Sequence, residues 1–159
     1  MAKVYLETSF FSSCVTTRPD VNSQSWRQRS LSWLKAQASR HSLYISAEVI
    51  RELSAPSYRN RDAARAFTGG IELLPVTDEV LALGQLLVDQ LVMPGPIRGD
   101  AIHVAVSAYY GIEYVLSWNV RHLANPNKRI HLARVLMGVG KVSPLIVTPD
   151  VLWEGDADG

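Results

Sequence analysis

Short apolar runs alternate along this chain with longer stretches of helical spacing. Val4, Tyr5 and Leu6 are strand formers, and their run breaks at Glu7, Thr8 and Ser9, which predicts a buried strand ending at Glu7. Runs of the same kind at 43–45, 71–76, 114–116 and 145–147 predict four more strands. They lack polar–apolar alternation, as expected of strands covered on both faces. Between them, a helix could begin at Phe10 and run to Val15, and Pro19 marks the loop that follows. Trp26, Leu31, Trp33, Leu34 and Ala38 recur at roughly helical spacing and predict a helix over 21–38. Ser46 is a candidate N-cap for a helix over 47–53 that Pro56 stops, and a short helix over 62–68 closes at Gly69 and Gly70. Thr77 or Asp78 caps a long helix through Met93. The loop 94–99 is a clear break, after which Asp100 opens a helix over 101–110 that Gly111 ends. One or two helices fall between Arg121 and Met137, broken by Pro126, and Thr148, Pro149 and Asp150 start a last helical turn.

Strands alternating with helices in this way predict a three-layer α/β/α domain around a parallel sheet of about five short strands. No repeat or linker divides the sequence, so one domain is expected over 1–154, with 155–159 a flexible, acidic tail. A chain of 159 residues, 47% hydrophobic, suits one domain and can bury roughly 70% of its unfolded surface. Lys and Arg number 16 and Asp and Glu 15, for a net charge of +1. That balance argues against a general polyanion binder coated in basic residues, though not against a local basic patch. The single cysteine, Cys14, cannot form an intrachain disulfide and reads as structural. The first residues lack the apolar core of a secretory leader, and no stretch approaches the ~20 apolar residues that span a bilayer. A cytoplasmic protein with no membrane segment is the expectation.

In open parallel sheets, ligands bind beyond the carboxyl ends of the strands. Glu7 directly follows the first strand, Glu52 lies on the helix leaving the second, Asp100 opens a helix, and Asn119 follows the fourth strand. All four can converge on one end of the sheet. Carboxylates brought together repel unless a cation neutralises them, and oxygen ligands favour Mg²⁺ or Mn²⁺ over zinc. The spacing alone leaves simpler roles open: Asp100 also fits a helix cap, Asn119 an Asx turn, and Glu48 competes with Glu52.

Four segments together resemble the PIN-domain family, and within it the VapC-type toxin ribonucleases and their close relatives. They are Val-Tyr-Leu-Glu-Thr-Ser-Phe at 4–10, Ile-Ser-Ala-Glu-Val-Ile-Arg-Glu-Leu at 45–53, Gly-Asp-Ala-Ile-His-Val-Ala-Val at 99–106, and Tyr-Val-Leu-Ser-Trp-Asn-Val-Arg-His-Leu-Ala-Asn at 114–125. The resemblance runs from Val4 to about Trp153 and implies a PIN-like fold. It implies a metal site of Glu7, Glu52, Asp100 and Asn119, loaded with Mg²⁺ or Mn²⁺, that hydrolyses the phosphodiester bonds of single-stranded RNA. It also implies a homodimer and, for toxin members, a small antitoxin that blocks the site. Two positions depart from the family's usual pattern. Glu7 stands where Asp is commonest, and Asn119, which adds no charge, stands where Asp is frequent.

Around these positions, Thr8, Ser9 and Ser117 could hydrogen-bond the site's carboxylates, Ser117 reaching Asp100 or Glu7. Arg98, Arg121 and His122 could hold phosphate. His103, at i+3 from Asp100, shares its helix face and could bond a ligand carboxylate or simply pack. Trp26 and Trp33 read as core or interface residues rather than base platforms, and Trp118 as a packing anchor for its turn. The rival readings are an inactive PIN scaffold that binds RNA or a protein, favoured by Asn119, and another carboxylate-based α/β enzyme such as a phosphatase. The phosphatase reading lacks an Asp-x-Asp motif after the first strand. No Gly-rich loop follows that strand to support a nucleotide-binding module.

Overall fold

The computed structural model describes residues 1–119, 123 and 125–155. Five parallel strands form one sheet: β1 (Lys3–Leu6), β2 (Ser42–Ser46), β3 (Glu72–Leu74), β4 (Tyr114–Leu116) and β5 (Leu145–Val147). Their spatial order is β3-β2-β1-β4-β5, so β1 pairs with β2 on one side and β4 on the other. The chain first builds outward from β1 to β3, then returns and builds outward through β4 to β5.

Helices cover both faces. Helices α1 (Thr8–Cys14) and α2 (Val21–Gln37) connect β1 to β2, with a 3-10 turn at Ala38–Arg40, and α3 (Ala47–Leu53) and α4 (Arg61–Ala66) connect β2 to β3. Helices α5 (Asp78–Asp89) and α6 (Asp100–Tyr109) fill the return crossover, and α7 (Pro126–Gly138) links β4 to β5. Right-handed crossovers place α1–α4 on one face and α5–α7 on the other, because the direction of travel reverses at β1. The packing agrees: α1 lies against α2, α3 and α4, while α5 lies against α6. This is the expected α/β/α arrangement around a parallel sheet.

The core runs through both layers. Val4, Tyr5 and Leu6 of β1 are fully buried, as a central strand covered on both faces requires. Phe10 of α1 meets Phe11 and Trp33 edge-on, and the Trp33 indole donates to Leu152 O at 2.7 Å. Cys14 is buried in this core, which pushes its thiol up to about 12 and leaves it a packing residue. Among the described residues no helix is long and apolar enough to cross a membrane.

Several elements end differently from the expectation. Helix α5 stops at Asp89 rather than Met93, because Leu91 turns to φ 58° and the Val92 and Met93 amides fold back on Leu87 O. Ser46 occupies the N-cap position of α3, but its side chain makes no capping bond, since its hydroxyl is engaged by Tyr5. The last turn, by contrast, opens at Thr148, Pro149 and Asp150 as expected: the Val151 and Leu152 amides donate to Thr148 O, and Asp150 pairs with Arg29 at 2.7 Å. Arg121 and His122, and the expected tail from 156 onward, lie outside the described residues.

Candidate metal centre

Strand order reverses at β1, so the gap between the carboxyl ends of β1 and β4 is where a doubly wound sheet opens a ligand crevice. Glu7 directly follows β1 at that point, and Ser117, Trp118 and Asn119 follow β4. Glu7 is buried, and its amide donates to Leu116 O at 3.1 Å, which ties the two strand ends together. Its Oε2 accepts from the Ser9 amide at 2.9 Å, from the Ser117 hydroxyl at 2.9 Å, and from the Ser9 hydroxyl. Glu7 is therefore the N-cap of α1, a role its sequence position does not reveal. Of the two carboxylates open to Ser117 in the sequence reading, the hydroxyl takes Glu7. Ser117 Oγ also accepts from the Asn119 amide, and Ser9 Oγ from the Trp118 amide, both at 2.9 Å.

The second carboxylate comes from α3. Glu52 Oε1 accepts from Thr8 Oγ1 at 2.7 Å and meets His103 Nε2 at 2.5 Å. His103, on α6, is fully buried, and its Nδ1 lies 2.6 Å from the Tyr5 hydroxyl, which reaches Ser46 Oγ at 2.8 Å. Burial pushes Glu52 up and His103 down, yet their mutual bond and opposite charges win, holding the carboxyl below its ordinary value and the imidazole above. The charges of Glu7 and Asp100 add to the pull on His103.

Each of Glu7, Glu52 and His103 offers one ligand atom, and these atoms lie within 4.8 Å of one another. The two carboxylates, gathered under a third carboxylate's field, suit a divalent cation, while both imidazole nitrogens are engaged, Nε2 by Glu52 and Nδ1 by Tyr5. Asp100 is the first residue of α6, where its charge also favours the helix dipole; the cap position itself belongs to Gly99. Gly99 adopts φ 57° and ψ −122°, a conformation reserved for glycine, and a Cβ there would come 3.8 Å from Glu52 Oε2.

Glu48 holds this corner in place. It is buried, accepts from Arg51 of the same helix, and accepts from the Gly99 amide at 2.8 Å. Burial alone would raise its carboxyl, but the Arg51 and Gly99 bonds outweigh it and keep the group below its ordinary value. Glu48 and Glu52 are thus partners rather than competitors: they share a face of α3 at i,i+4, the first bracing the start of α6 and the second facing the cluster. That spacing was the available signal for Glu48; for His103 it was i+3 from Asp100.

The remaining sequence candidates are more dispersed. Asn119 lies half-buried beside the cluster and lines an open cleft of about 800 Å³ that also touches Ser9. Arg98 is exposed on the loop before α6. Trp33 is core and Trp118 is buried, its indole donating to Ser30 Oγ at 2.8 Å. Trp26 departs from the core reading: it is 37% exposed and stacks on Trp118, because α2 passes over the turn that follows β4.

No protein-family model matches the sequence, and no curated protein does. The fold, however, recurs in solved structures. VapBC2 from Rickettsia felis, bound to a DNA fragment from its promoter, superposes with a TM-score of 0.57 at 12% identity, covering 92% of this chain and 98% of that one. VapC20 of Mycobacterium tuberculosis, a sarcin-ricin loop cleaving toxin, gives 0.54 at 19% identity over 76% and 93% of the two chains. FitAcB from Neisseria gonorrhoeae gives 0.54 at 13% identity over 94% and 99%. With its all-parallel sheet and the strand order set out above, the chain has the PIN-domain fold of the VapC-type toxins.

Proposed function

We propose that this protein is a ribonuclease that hydrolyses RNA phosphodiester bonds with Mg²⁺ or Mn²⁺, acting as the cytoplasmic toxin of a toxin–antitoxin pair. The observation that carries the reading is the convergence of Glu7, Glu52 and His103 at the switch point of the sheet, with Asp100 close enough for its charge to act on His103. The fold shared with a sarcin-ricin loop cleaving toxin supports the choice of RNA.

Glu7, Glu52 and Asp100 would hold the ion, with Asn119 contributing its amide oxygen or orienting a water. Among the described residues, bonds to these carboxylates fall on Oε2 of Glu7 and Oε1 of Glu52, which leaves Oε1 of Glu7 and Oε2 of Glu52 as the candidate ligating oxygens. A bound Mg²⁺ or Mn²⁺ supplies Lewis-acid charge at the phosphoryl oxygens and a water of lowered pKa. The chain's own residues do the positioning. Thr8 and His103 fix Glu52, Ser9 and Ser117 fix Glu7, and Glu48 fixes the start of α6. Arg98 and Arg121 are the candidates to steady flanking phosphates. A cognate antitoxin is the expected partner, and a homodimer the expected assembly.

Asp100→Asn tests the assignment. Mn²⁺-dependent cleavage of single-stranded RNA should fall by at least about 10²-fold, a loss typical of removing a group that acts on the transition state, while the melting temperature stays near wild type. Retained cleavage would sink the role given to Asp100. The uncharged Asn119 favours a second reading, an inactive scaffold. Titration calorimetry with Mn²⁺ separates the two, since a scaffold predicts no binding at the acidic cluster.

A further inference from the structure

The cleft of about 800 Å³ beside the acidic cluster falls within the roughly 300–1,000 Å³ range of sites that enclose small ligands. Its walls come from α1 and the loop after it, from α2, and from the turn after α3. Arg18 and Arg59 bring two positive charges to it, Trp26 and Tyr58 bring aromatic rings, and among the described residues no carboxylate lines it. Both arginines are exposed, and neither forms an ion pair among the described residues. Asp20, whose charge acts with Arg18, is occupied in capping α2 through the Ser23 amide at 3.0 Å.

Trp26 is the unusual feature. One face of its indole is covered by Trp118, with centroids 5.1 Å apart and planes 10° from parallel. Trp118 is in turn fixed by burial and by its bond to Ser30. A large ring that is 37% exposed, held flat by a buried partner and lining a cationic cleft, is built as a stacking platform. The cleft meets the acidic cluster at Ser9 and Asn119, and Ser9 is bonded directly to Glu7. A strand whose phosphate reached Glu7 would pass its neighbouring nucleotide into this space.

We propose that the cleft is the subsite for the unpaired nucleotide next to the scissile phosphate, with its base stacked on Trp26 and its phosphate held by Arg18 and Arg59. This deepens the ribonuclease reading and rests on it for the cut, though not for the binding. The rim of hydroxyls suits ribose and phosphate oxygens, and continuity with the cluster favours RNA over an acidic peptide.

The test is binding of a fluorescein-labelled, single-stranded eight-nucleotide RNA to the full chain in EDTA, followed by anisotropy. Trp26→Ala should weaken binding roughly tenfold, as loss of a base–aromatic stack does, and Trp26→Phe should recover most of it. Replacing both Arg18 and Arg59 with Ala should weaken binding and flatten its dependence on salt by about two phosphate contacts. Circular-dichroism melts establish that each variant is folded; if Trp26→Ala is not, Trp26→Phe and the double arginine variant carry the test. Wild-type affinity in the folded variants would overturn the subsite, as would displacement of the RNA by an acidic octapeptide that binds more tightly. Binding that depends on Trp26 without any cleavage in Mg²⁺ or Mn²⁺ would remove the nuclease reading and leave the subsite standing. Cleavage with a KM unmoved by Trp26→Ala would do the reverse.

Discussion

The Tyr5 hydroxyl sits between Ser46 Oγ and His103 Nδ1 in a place closed to water. Burial pushes the phenol well above its ordinary range, so the group stays neutral and serves as both donor and acceptor. A carboxylate only accepts, so His103 Nε2 carries a proton toward Glu52. Nδ1 then donates to Tyr5 when the ring is charged and accepts from it when the ring is neutral. The hydroxyl therefore satisfies the buried imidazole in either state. Tyr5→Phe keeps the ring volume but strips a partner from two buried polar atoms, at a cost of about 1–3 kcal/mol. Urea denaturation should show that loss as a lower midpoint at unchanged slope. A midpoint equal to wild type would mean that another group reaches His103 and Ser46.

At the level of elements, the site is assembled where the ends of β1, β4, α3 and α6 meet, and Glu48 is the tie between the last two. Glu48→Ala leaves the part-buried Gly99 amide without its acceptor and releases the start of α6, where Asp100 sits. Stability should fall by about 1–3 kcal/mol. Cleavage should fall by roughly tenfold or more, since small misplacements of positioned groups are costly. Hydrogen exchange at the Gly99 amide reads the first effect directly, and unchanged protection there would remove Glu48 from this role. The elements themselves were legible because buried parallel strands leave unbroken apolar runs, and caps such as Thr77 and breaks such as 94–99 are local. The functions of single polar groups were less legible. Ser46 looks like a cap until Tyr5, 41 positions away, takes its hydroxyl, and Glu7 shows its capping of α1 through the Ser9 amide only in the folded chain. The early stop of α5 depends likewise on amides turning back to Leu87, which no periodicity encodes.

For the whole molecule, the cluster couples charge to stability. Glu52 is held below its ordinary value of 4.5, so its share of stability is present above that pH and is lost as pH falls through the folded value. His103 is held above its ordinary 6.5, so its share is present below 6.5 and is lost as pH rises through the folded value. Without a cation the pair contributes most between those two pH values. His41 acts in the opposite sense: burial holds it below 6.5, and its share is lost as pH falls. The difference between wild type and His103→Gln isolates the pair, and that difference in melting temperature should shrink as an EDTA-treated sample is taken from about pH 6 to pH 9. A divalent cation held at the cluster would answer the same negative field that the imidazolium answers. Proton and metal would then compete, and Mn²⁺ should raise the wild-type melting temperature more at the alkaline end, where His103 has given up its proton. The shift should be small at pH 6 and nearly absent at either pH in Asp100→Asn. An equal Mn²⁺ shift at both pH values would mean that the cation binds away from Glu7, Glu52 and His103.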